Sequence, residues 1–337
     1  MTTAILMLFM HRAVATIRTV NNLGTAQFSD IGSAITASSK GDTIYIHGSP
    51  YGYSISPTYV FKDSLTFIGP GFNPTKQNPH VAYIASRWWA GHNNTFIGLF
   101  MQDVGHNPVT GHYLNTRFIR CRIKAMYGLC ENNYISNMLF DGCILEGFIL
   151  FNVVPASCNG SRNFYGATIR NCLFYGAYIY GGGYNSFNDL VVENCIFYHG
   201  NPSTIVTPIN GTFTNNIFVN ANVDPANNPG VVFNNNFSTT ENLNVSGNSG
   251  NVQGTSPSFV NAPGGTFAFS HDYHLATGSP CLGTGTGGTD MGIYSGAAPF
   301  HMDGASSIPQ INYFNVLGTQ ILQGNSIKVS FQSVIKN

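Results

Sequence analysis

The middle of the chain repeats a short pattern of apolar and small polar positions roughly every 22 residues. Each repeat begins with an apolar residue, and most have Asn or Gly at the third position. Segments rich in β-branched and aromatic residues at this period predict one coil of a β-solenoid per repeat. A leucine-rich repeat has a similar period, but its L-x-x-L-x-L frame is absent. The repeats are 96–101, 118–123, 140–145, 169–174, 192–197, 213–218 and 233–237.

The positions of the repeat predict different surroundings. The apolar first position predicts an inward-facing stack. The Asn and Gly residues at the third position tolerate the left-handed backbone of a sharp corner, and stacked Asn side chains can hydrogen-bond along the solenoid. Asp141, Arg170 and Glu193 at the second position indicate a surface ion-pair ladder. The longer step between Cys143 and Cys172 indicates an insertion of about seven residues within 153–163.

Four of the seven cysteines occupy the fourth position of consecutive repeats: Cys121, Cys143, Cys172 and Cys195. Strands of neighbouring coils lie about 4.8 Å apart, so these thiols are expected to stack inside the solenoid. Four thiols in a line do not make the tetrahedron of a structural zinc site. We therefore predict packing, with no metal site.

The fifth position is apolar in four consecutive repeats and is expected to point outward. A solvent-facing apolar stripe over four coils is typical of an interface, so self-association is one interpretation. Cover by loops or by the C-terminal strands is the other. The residues of this stripe are Ile144, Leu173, Ile196 and Ile217.

The two ends of the repeat region resemble those of known secreted solenoids. Apolar spacing over 28–37 predicts a short amphipathic helix, followed by strands in 41–46 and 64–71. These segments, with 272–275, 278–281, 283–285 and 290–294 near the other end, resemble secreted pectate-lyase-like right-handed parallel β-helix proteins. The resemblance covers about 16–300 and implies a helix that caps the first coil. It is specific for the fold and for secretion, and it is not specific for an activity.

The predicted organisation has three parts. Residues 1–15 resemble a signal peptide, because an apolar core precedes Ala13-Val14-Ala15, although no Lys or Arg precedes that core. Residues 16–300 form the parallel β-helix with its N-terminal cap. Residues 301–337 form a C-terminal extension of two strands that resembles the start of an Ig-like module. These two strands are expected to pack on the solenoid or pair with another chain, unless the chain is truncated.

Composition narrows the classes of partner. Only 8% of residues are charged and the formal net charge is zero, so no basic surface predicts nucleic acid or anionic membrane. No uninterrupted apolar run of about 20 residues predicts a transmembrane segment. A surface of amides and hydroxyls suits a long all-β protein with many turns. The partners that we expect are a polysaccharide or cell-surface glycan, or a second copy of the chain.

The resemblance also implies a catalytic alternative, a polysaccharide lyase or glycoside hydrolase on the outer face of the middle coils. Lys124, Glu146 and Tyr175 should align there with Gln102 and Tyr198, and a lysine base beside a carboxylate can abstract a proton from a uronate. A calcium ion is implied only if the protein is a lyase. The structural alternative is that Lys124 pairs with Glu146 and the tyrosines stack. The chain has only 14 acidic residues, and the hydrolase motifs do not occur as a set.

Glycan binding without catalysis requires fewer specific residues than an active site does. Trp88 and Trp89 are the two tryptophans of the chain, and with Tyr198 they are candidates to stack on sugar faces. The alternative is that one or both indoles fill a gap in the solenoid. We favour an extracellular structural or surface-binding solenoid, self-assembling or glycan-binding, over an enzyme.

Overall fold

The structure is a computed structural model, and its description covers sixteen ranges of the chain. They are 15–55, 62–76, 80–89, 91–105, 112–126, 134–150, 162–180, 185–198, 205–206, 209–223, 225, 229–245, 247–263, 267–306, 310–317 and 328–334. The predicted signal peptide therefore lies, except for Ala15, outside the described residues.

Almost all regular structure in these ranges is strand. The helix α1 spans Ile31–Ala37, and a single 3-10 turn spans Thr286–Gly288. The strands of the first half are β1 (Ile17–Val20), β2 (Thr43–Ile46), β3 (Thr66–Ile68), β4 (Tyr83–Trp89), β5 (Thr95–Ile97), β6 (Phe100–Gly105), β7 (His112–Leu114), β8 (Arg117–Ile119), β9 (Arg122–Met126), β10 (Tyr134–Ser136), β11 (Leu139–Asp141), β12 (Ile144–Leu150), β13 (Arg162–Tyr165) and β14 (Thr168–Arg170). Those of the second half are β15 (Leu173–Tyr180), β16 (Asn185–Glu193), β17 (Ile196–Tyr198), β18 (Ile205–Val206), β19 (Ile209–Thr214), β20 (Ile217–Val219), β21 (Val231–Asn234), β22 (Phe237–Ser238), β23 (Val252–Gln253), β24 (Phe259–Asn261), β25 (Asp272–Leu275), β26 (Gln310–Leu317) and β27 (Lys328–Val334).

Two parallel sheets form the solenoid. Sheet A has 13 strands and follows the order β1-β2-β3-β5-β8-β11-β14-β16, with β13, β10 and β7 continuing from β16 and with β19 and β21 extending it. Sheet B has 10 strands in the order β23-β22-β20-β17-β15-β12-β9-β6-β4, and β18 pairs with β15. Phe118 pairs with Phe96 and with Phe140, one coil of 22 residues away on each side. The predicted parallel β-solenoid is confirmed.

The corner between the two sheets has the predicted left-handed backbone. The third position of each repeat has φ between +49° and +63° at Gly98, Arg120, Gly142, Asn171, Asn194, Asn215 and Asn235. The first and sixth positions point into the solenoid, where Phe96 and Phe118 stack with ring centroids 5.1 Å apart, and Phe118 and Phe140 5.2 Å apart. The apolar stack therefore follows directly from the repeat.

The fourth position forms a continuous interior column of thiols and amides. Cys121, Cys143, Cys172 and Cys195 are free and fully buried, as predicted. Asn216 and Asn236 continue the column and are fully buried, and Asn251 follows them at 8% exposure. Asn236 Nδ2 donates to Phe213 O (2.8 Å), and its Oδ1 accepts from the Asn216 amide (2.9 Å). Each interior asparagine thus links its own coil to the preceding one through both ends of its amide.

The buried thiols are expected to be unreactive toward alkylating reagents in the native protein. Burial raises the pKa values of Cys121, Cys143 and Cys172 well above the usual range, and a neighbouring thiol adds to the effect. Because the thiolate is the reactive form, we expect iodoacetamide to leave these three residues unmodified. Peptide mass spectrometry after labelling, with and without denaturant, is the test. Native labelling as fast as in denaturant would contradict the buried column.

The N-terminal end is closed by α1, as predicted. Asp30 caps the helix by accepting hydrogen bonds from the amide and hydroxyl of Ser33 (both 2.7 Å). Its buried face, which includes Ile31, Ala34 and Ile35, joins the solenoid core. Lys62 Nζ donates to the carbonyl oxygens at the other end of the helix. The helix therefore covers apolar surface that an open first coil would expose.

Residues 267–306, which we name the C-terminal strap, run back along the outside of the solenoid. Asn235 Nδ2 donates to Thr284 O (3.2 Å), Asn171 Nδ2 to Ser295 O (2.6 Å), and Arg120 Nη1 to Ala305 O (2.8 Å). From Thr284 to Ala305 the strap therefore runs toward the N-terminal coils. The prediction that corner asparagines hydrogen-bond to each other is wrong for this column, because the strap takes up their side chains.

The strap covers the predicted assembly stripe. Ile144, Leu173, Ile196 and Ile217 lie on the outer face of sheet B, and each is at most 1% exposed. They form a second core with strap residues that include Tyr273, Met291, Ile293 and Phe300. The interpretation of the stripe as an exposed interface is therefore wrong, because the chain's own C-terminal residues cover it. The alternative of cover by a loop segment is the one observed.

The predicted C-terminal strands are present as β26 and β27, which pair antiparallel with each other.

In the described residues, no helix is long and apolar enough to cross a membrane.

Candidate functional site

The outer face of sheet B brings the predicted catalytic residues into one column. Glu146 pairs in register with Tyr175, and Tyr175 with Tyr198. Lys124 precedes them by one coil, since Ile123 pairs with Leu145. The sequence predicted this alignment because one residue per coil at a fixed position must fall on one line.

Glu146 is engaged by an arginine instead of by Lys124. Its carboxylate accepts two hydrogen bonds from Arg122, at 2.9 Å from Nε and 2.8 Å from Nη2. Both side chains are mostly buried, with 16% and 17% exposure. A bidentate guanidinium occupies both carboxylate oxygens, so neither is left free to contact a substrate. The expected pairing of Lys124 with Glu146 is wrong, because Arg122 on the same face hydrogen-bonds to both carboxylate oxygens.

Aromatic rings surround the Arg122 guanidinium. Its Cζ lies 4.5 Å from the ring centroid of Phe100 and 5.1 and 5.5 Å from those of Phe269 and Phe267 in the strap. These are cation–π distances. The Arg122–Glu146 pair therefore anchors the beginning of the strap to sheet B, which is a structural role.

Lys124 lies at the open side of the same face. Its Nζ is 5.5 Å from the Phe100 ring centroid, and among the described residues its ammonium forms no ion pair within 4 Å. The neighbouring coils contribute Gln102 and Tyr83, whose hydroxyl donates to Gln102 Oε1 (2.7 Å). Tyr83, Gln102 and Lys124, which are all half-buried, form what we name the sheet B strip.

The strip is flanked by a further pair of charges. Arg87 Nη2 lies 4.0 Å from Asp103 Oδ2, and Arg87 is 44% exposed. Ion pairs this exposed contribute little to stability, on the order of 0–1 kcal/mol. The strip and its flanks thus combine hydrogen-bonding groups, aromatic rings and charged side chains on one open face.

Tyr175 and Tyr198 belong to an aromatic cluster beneath the strap. Their rings stack at 5.6 Å, and Phe267 contacts Tyr175 edge-on at 5.6 Å. Burial raises the pKa of both phenols, and for Tyr175 the neighbouring Tyr198 adds to the effect. Tyr198 is 5% exposed and donates its hydroxyl to Ala262 O (2.6 Å). Its proposed stacking on a sugar is therefore wrong, because the ring is already covered.

Trp88 fills the interior of the solenoid. It is 2% exposed and makes edge contacts with Phe67 and Phe96 at centroid distances of 4.7 and 5.2 Å. Stacking of Trp88 on a glycan is therefore wrong, and the gap-filling alternative is the one observed. The side chain of Trp89 lies outside the described residues.

Cation coordination receives no support from the described residues. No group of three or more His, Cys, Asp or Glu side chains among them could hold a metal ion. Lyase chemistry with calcium therefore has no ligand cluster in this part of the chain.

Sequence reasoning missed the aromatic half of this face. Phe100 occupies the fifth position of its repeat, one coil before Arg122, and that register was the signal that could have placed it beside the charged pair. Tyr83 lies outside the repeat, and nothing in the local sequence indicates that Phe267 and Phe269 return to this surface. No protein-family model matches the chain, and no curated protein is detectably similar to it.

Proposed function

We propose that the protein is an extracellular, non-catalytic β-solenoid that binds acidic polysaccharide along the sheet B strip. The observation that carries the proposal is an open face on which Tyr83, Gln102 and Lys124 come from consecutive strands and remain partly exposed. Coils are spaced by about 4.8 Å, which is close to the rise of one sugar in an extended polysaccharide. A glycan lying along the solenoid axis therefore meets one side chain of the strip per sugar.

Charge favours an acidic glycan. Arg87, Arg122 and Lys124 supply three positive charges on this face, and Asp103 and Glu146 supply two negative ones. Because Arg122 and Glu146 neutralise each other, Lys124 is the charge left for a uronate carboxylate. Phe100 and Tyr83, whose ring centroids are 4.6 Å apart, supply an apolar edge for the sugar ring.

Replacing Lys124 with alanine is expected to weaken binding of polygalacturonate about fivefold, since one partly exposed charge contact contributes about 1 kcal/mol. Affinity gel electrophoresis at several salt concentrations is the measurement. Lys40→Ala is the matched control, because it removes the same charge from an exposed site on the N-terminal turn. Equal retardation of both variants, or of the wild type on neutral and acidic gels, would refute the proposal.

A lyase remains the second candidate, because Lys124 is a cation on an open face and shares its column with Glu146 and Tyr175, which follow it by one and two coils. Incubation with polygalacturonate, with and without calcium, tests it through the absorbance of unsaturated products. Product that disappears in Lys124→Ala would replace the binding proposal with catalysis. Binding without product supports the proposal.

Secretion is part of the proposal. It is supported by the apolar core and the Ala13-Val14-Ala15 site, and by the resemblance to secreted pectate-lyase-like β-helix proteins. N-terminal sequencing of the protein recovered from culture medium should begin at Thr16. Retention of the whole protein inside the cells would overturn this part.

A further inference from the structure

A second concave site lies between sheet A and the C-terminal strap, away from the sheet B strip. It is a cavity of about 150 Å³. Ile97 and Ile119 line it from the outer face of sheet A, and Ala298 and Pro299 line it from the strap. Arg120, Asp141, Gly142 and Ser306 complete the lining. The volume is below the roughly 300–1,000 Å³ of pockets for drug-sized ligands, so it suits one small molecule.

Arg120 differs in residue type from the other members of the corner column, and it lines the cavity. The other corner residues of the column are Asn or Gly, whereas Arg120 adopts φ +50° with a long side chain. A left-handed conformation costs an ordinary residue about 1–2 kcal/mol, and such strain concentrates at functional positions. Its Nη1 donates to Ala305 O (2.8 Å). The rest of the guanidinium has no protein hydrogen-bond partner in the described part of the chain.

Asp141 supplies the complementary acceptor. Its Oδ2 accepts from Arg170 Nη2 (2.7 Å), and its side chain is 13% exposed. Among the described residues, no donor hydrogen-bonds to Oδ1. A carboxylate oxygen beside guanidinium N–H groups matches two adjacent hydroxyls of a sugar, because one hydroxyl donates while its neighbour accepts. The isoleucines and Pro299 offer an apolar surface to the C–H face of the ring.

The cavity lining carries one positive charge, on Arg120, and one negative charge, on Asp141, so its formal charge favours neither an anion nor a cation. Arg120 and Arg170 are offset by Asp141 and by Glu193 in the next coil, whose charge acts on Arg170. We infer that this cavity binds one neutral sugar unit, with Asp141 and Arg120 holding adjacent hydroxyls. This site differs in position and in ligand class from the strip proposed above, and does not rest on it.

Saturation-transfer NMR with glucose, galactose, mannose and N-acetylglucosamine tests the inference on the full chain. Transfer to at least one of these sugars is expected. Ala298→Leu fills the cavity and should abolish the transfer, whereas Ala297→Leu adds the same volume at an exposed neighbour that does not line it. Asp141→Asn should weaken binding about tenfold, which corresponds to about 1.4 kcal/mol.

Thermal unfolding of each variant separates loss of binding from loss of fold. If Asp141→Asn unfolds because Arg170 loses its partner, Ser306→Ala removes a polar group of the lining without touching that ion pair and should also weaken transfer. Absence of transfer for all four sugars would overturn the inference. Equal transfer in Ala298→Leu and Ala297→Leu, or its loss in Lys124→Ala, would do the same by placing the sugar elsewhere.

Discussion

Asn236→Ala is expected to lower the free energy of unfolding by about 3–4 kcal/mol, since each buried polar group left without a partner costs about 1–3 kcal/mol. The asparagine is fully buried, and its amide bonds to the coils on both sides. Its Nδ2 donates to Phe213 O (2.8 Å) and Asn251 Oδ1 (3.0 Å), and its Oδ1 accepts from Asn216. Alanine would leave the Phe213 carbonyl and the Asn216 amide unpaired in the core.

Urea unfolding followed by circular dichroism measures this change. Asn222→Ala is the matched control, because Asn222 is exposed in a neighbouring loop. It should stay within about 0.5 kcal/mol of the wild type, as is usual for surface substitutions. Equal stability of the two variants would show that the interior amide column contributes little to holding the coils together.

Ile196→Asp is expected to release the C-terminal strap and to lower the free energy of unfolding by about 3–5 kcal/mol, the range for an uncompensated buried charge. Ile196 is 1% exposed, between Leu173 and Ile217 in register and beneath the strap at Gly292. Water must reach the new carboxylate, and the strap is the element that can move away to admit it. Detachment exposes the apolar stripe, so self-association should follow.

Limited proteolysis and light scattering report on these two consequences. Cleavage within 267–306 should accelerate, and the scattering mass should rise with protein concentration. Thr212→Asp introduces the same charge on the exposed face of sheet A and should change neither readout. If Ile196→Asp resists the protease as the wild type does, the strap is not held by the stripe.

The solenoid itself could be predicted because its information is local and repeated. Phe118 and Cys172 each occupy a position whose environment is set by equivalent residues one coil away. Because every repeat gives the same information, the inward columns and the corners followed from the pattern. The helix at the first coil followed from the apolar spacing over 28–37.

The candidate site could be predicted only in part. The alignment of Lys124, Glu146 and Tyr175 was predictable, because the register between coils is sufficient to determine it. The choice of Arg122 as the partner of Glu146 depends on side-chain reach across the face and on the strap rings of Phe267 and Phe269. The repeat indicates neither the reach of the Arg122 side chain nor the position of the two strap rings.

The sequence by itself determined the coil, its period and which side chains point outward, because these depend on alternation along strands and on stacking of neighbouring coils. Only the tertiary structure decided which outward positions meet solvent. Ile196 and Tyr198 look exposed in the repeat, yet residues far along the chain cover them, as they do much of sheet B. The physical reason is that the strap docks through apolar burial and corner hydrogen bonds, which are non-local and leave no periodic signal in the segment that makes them.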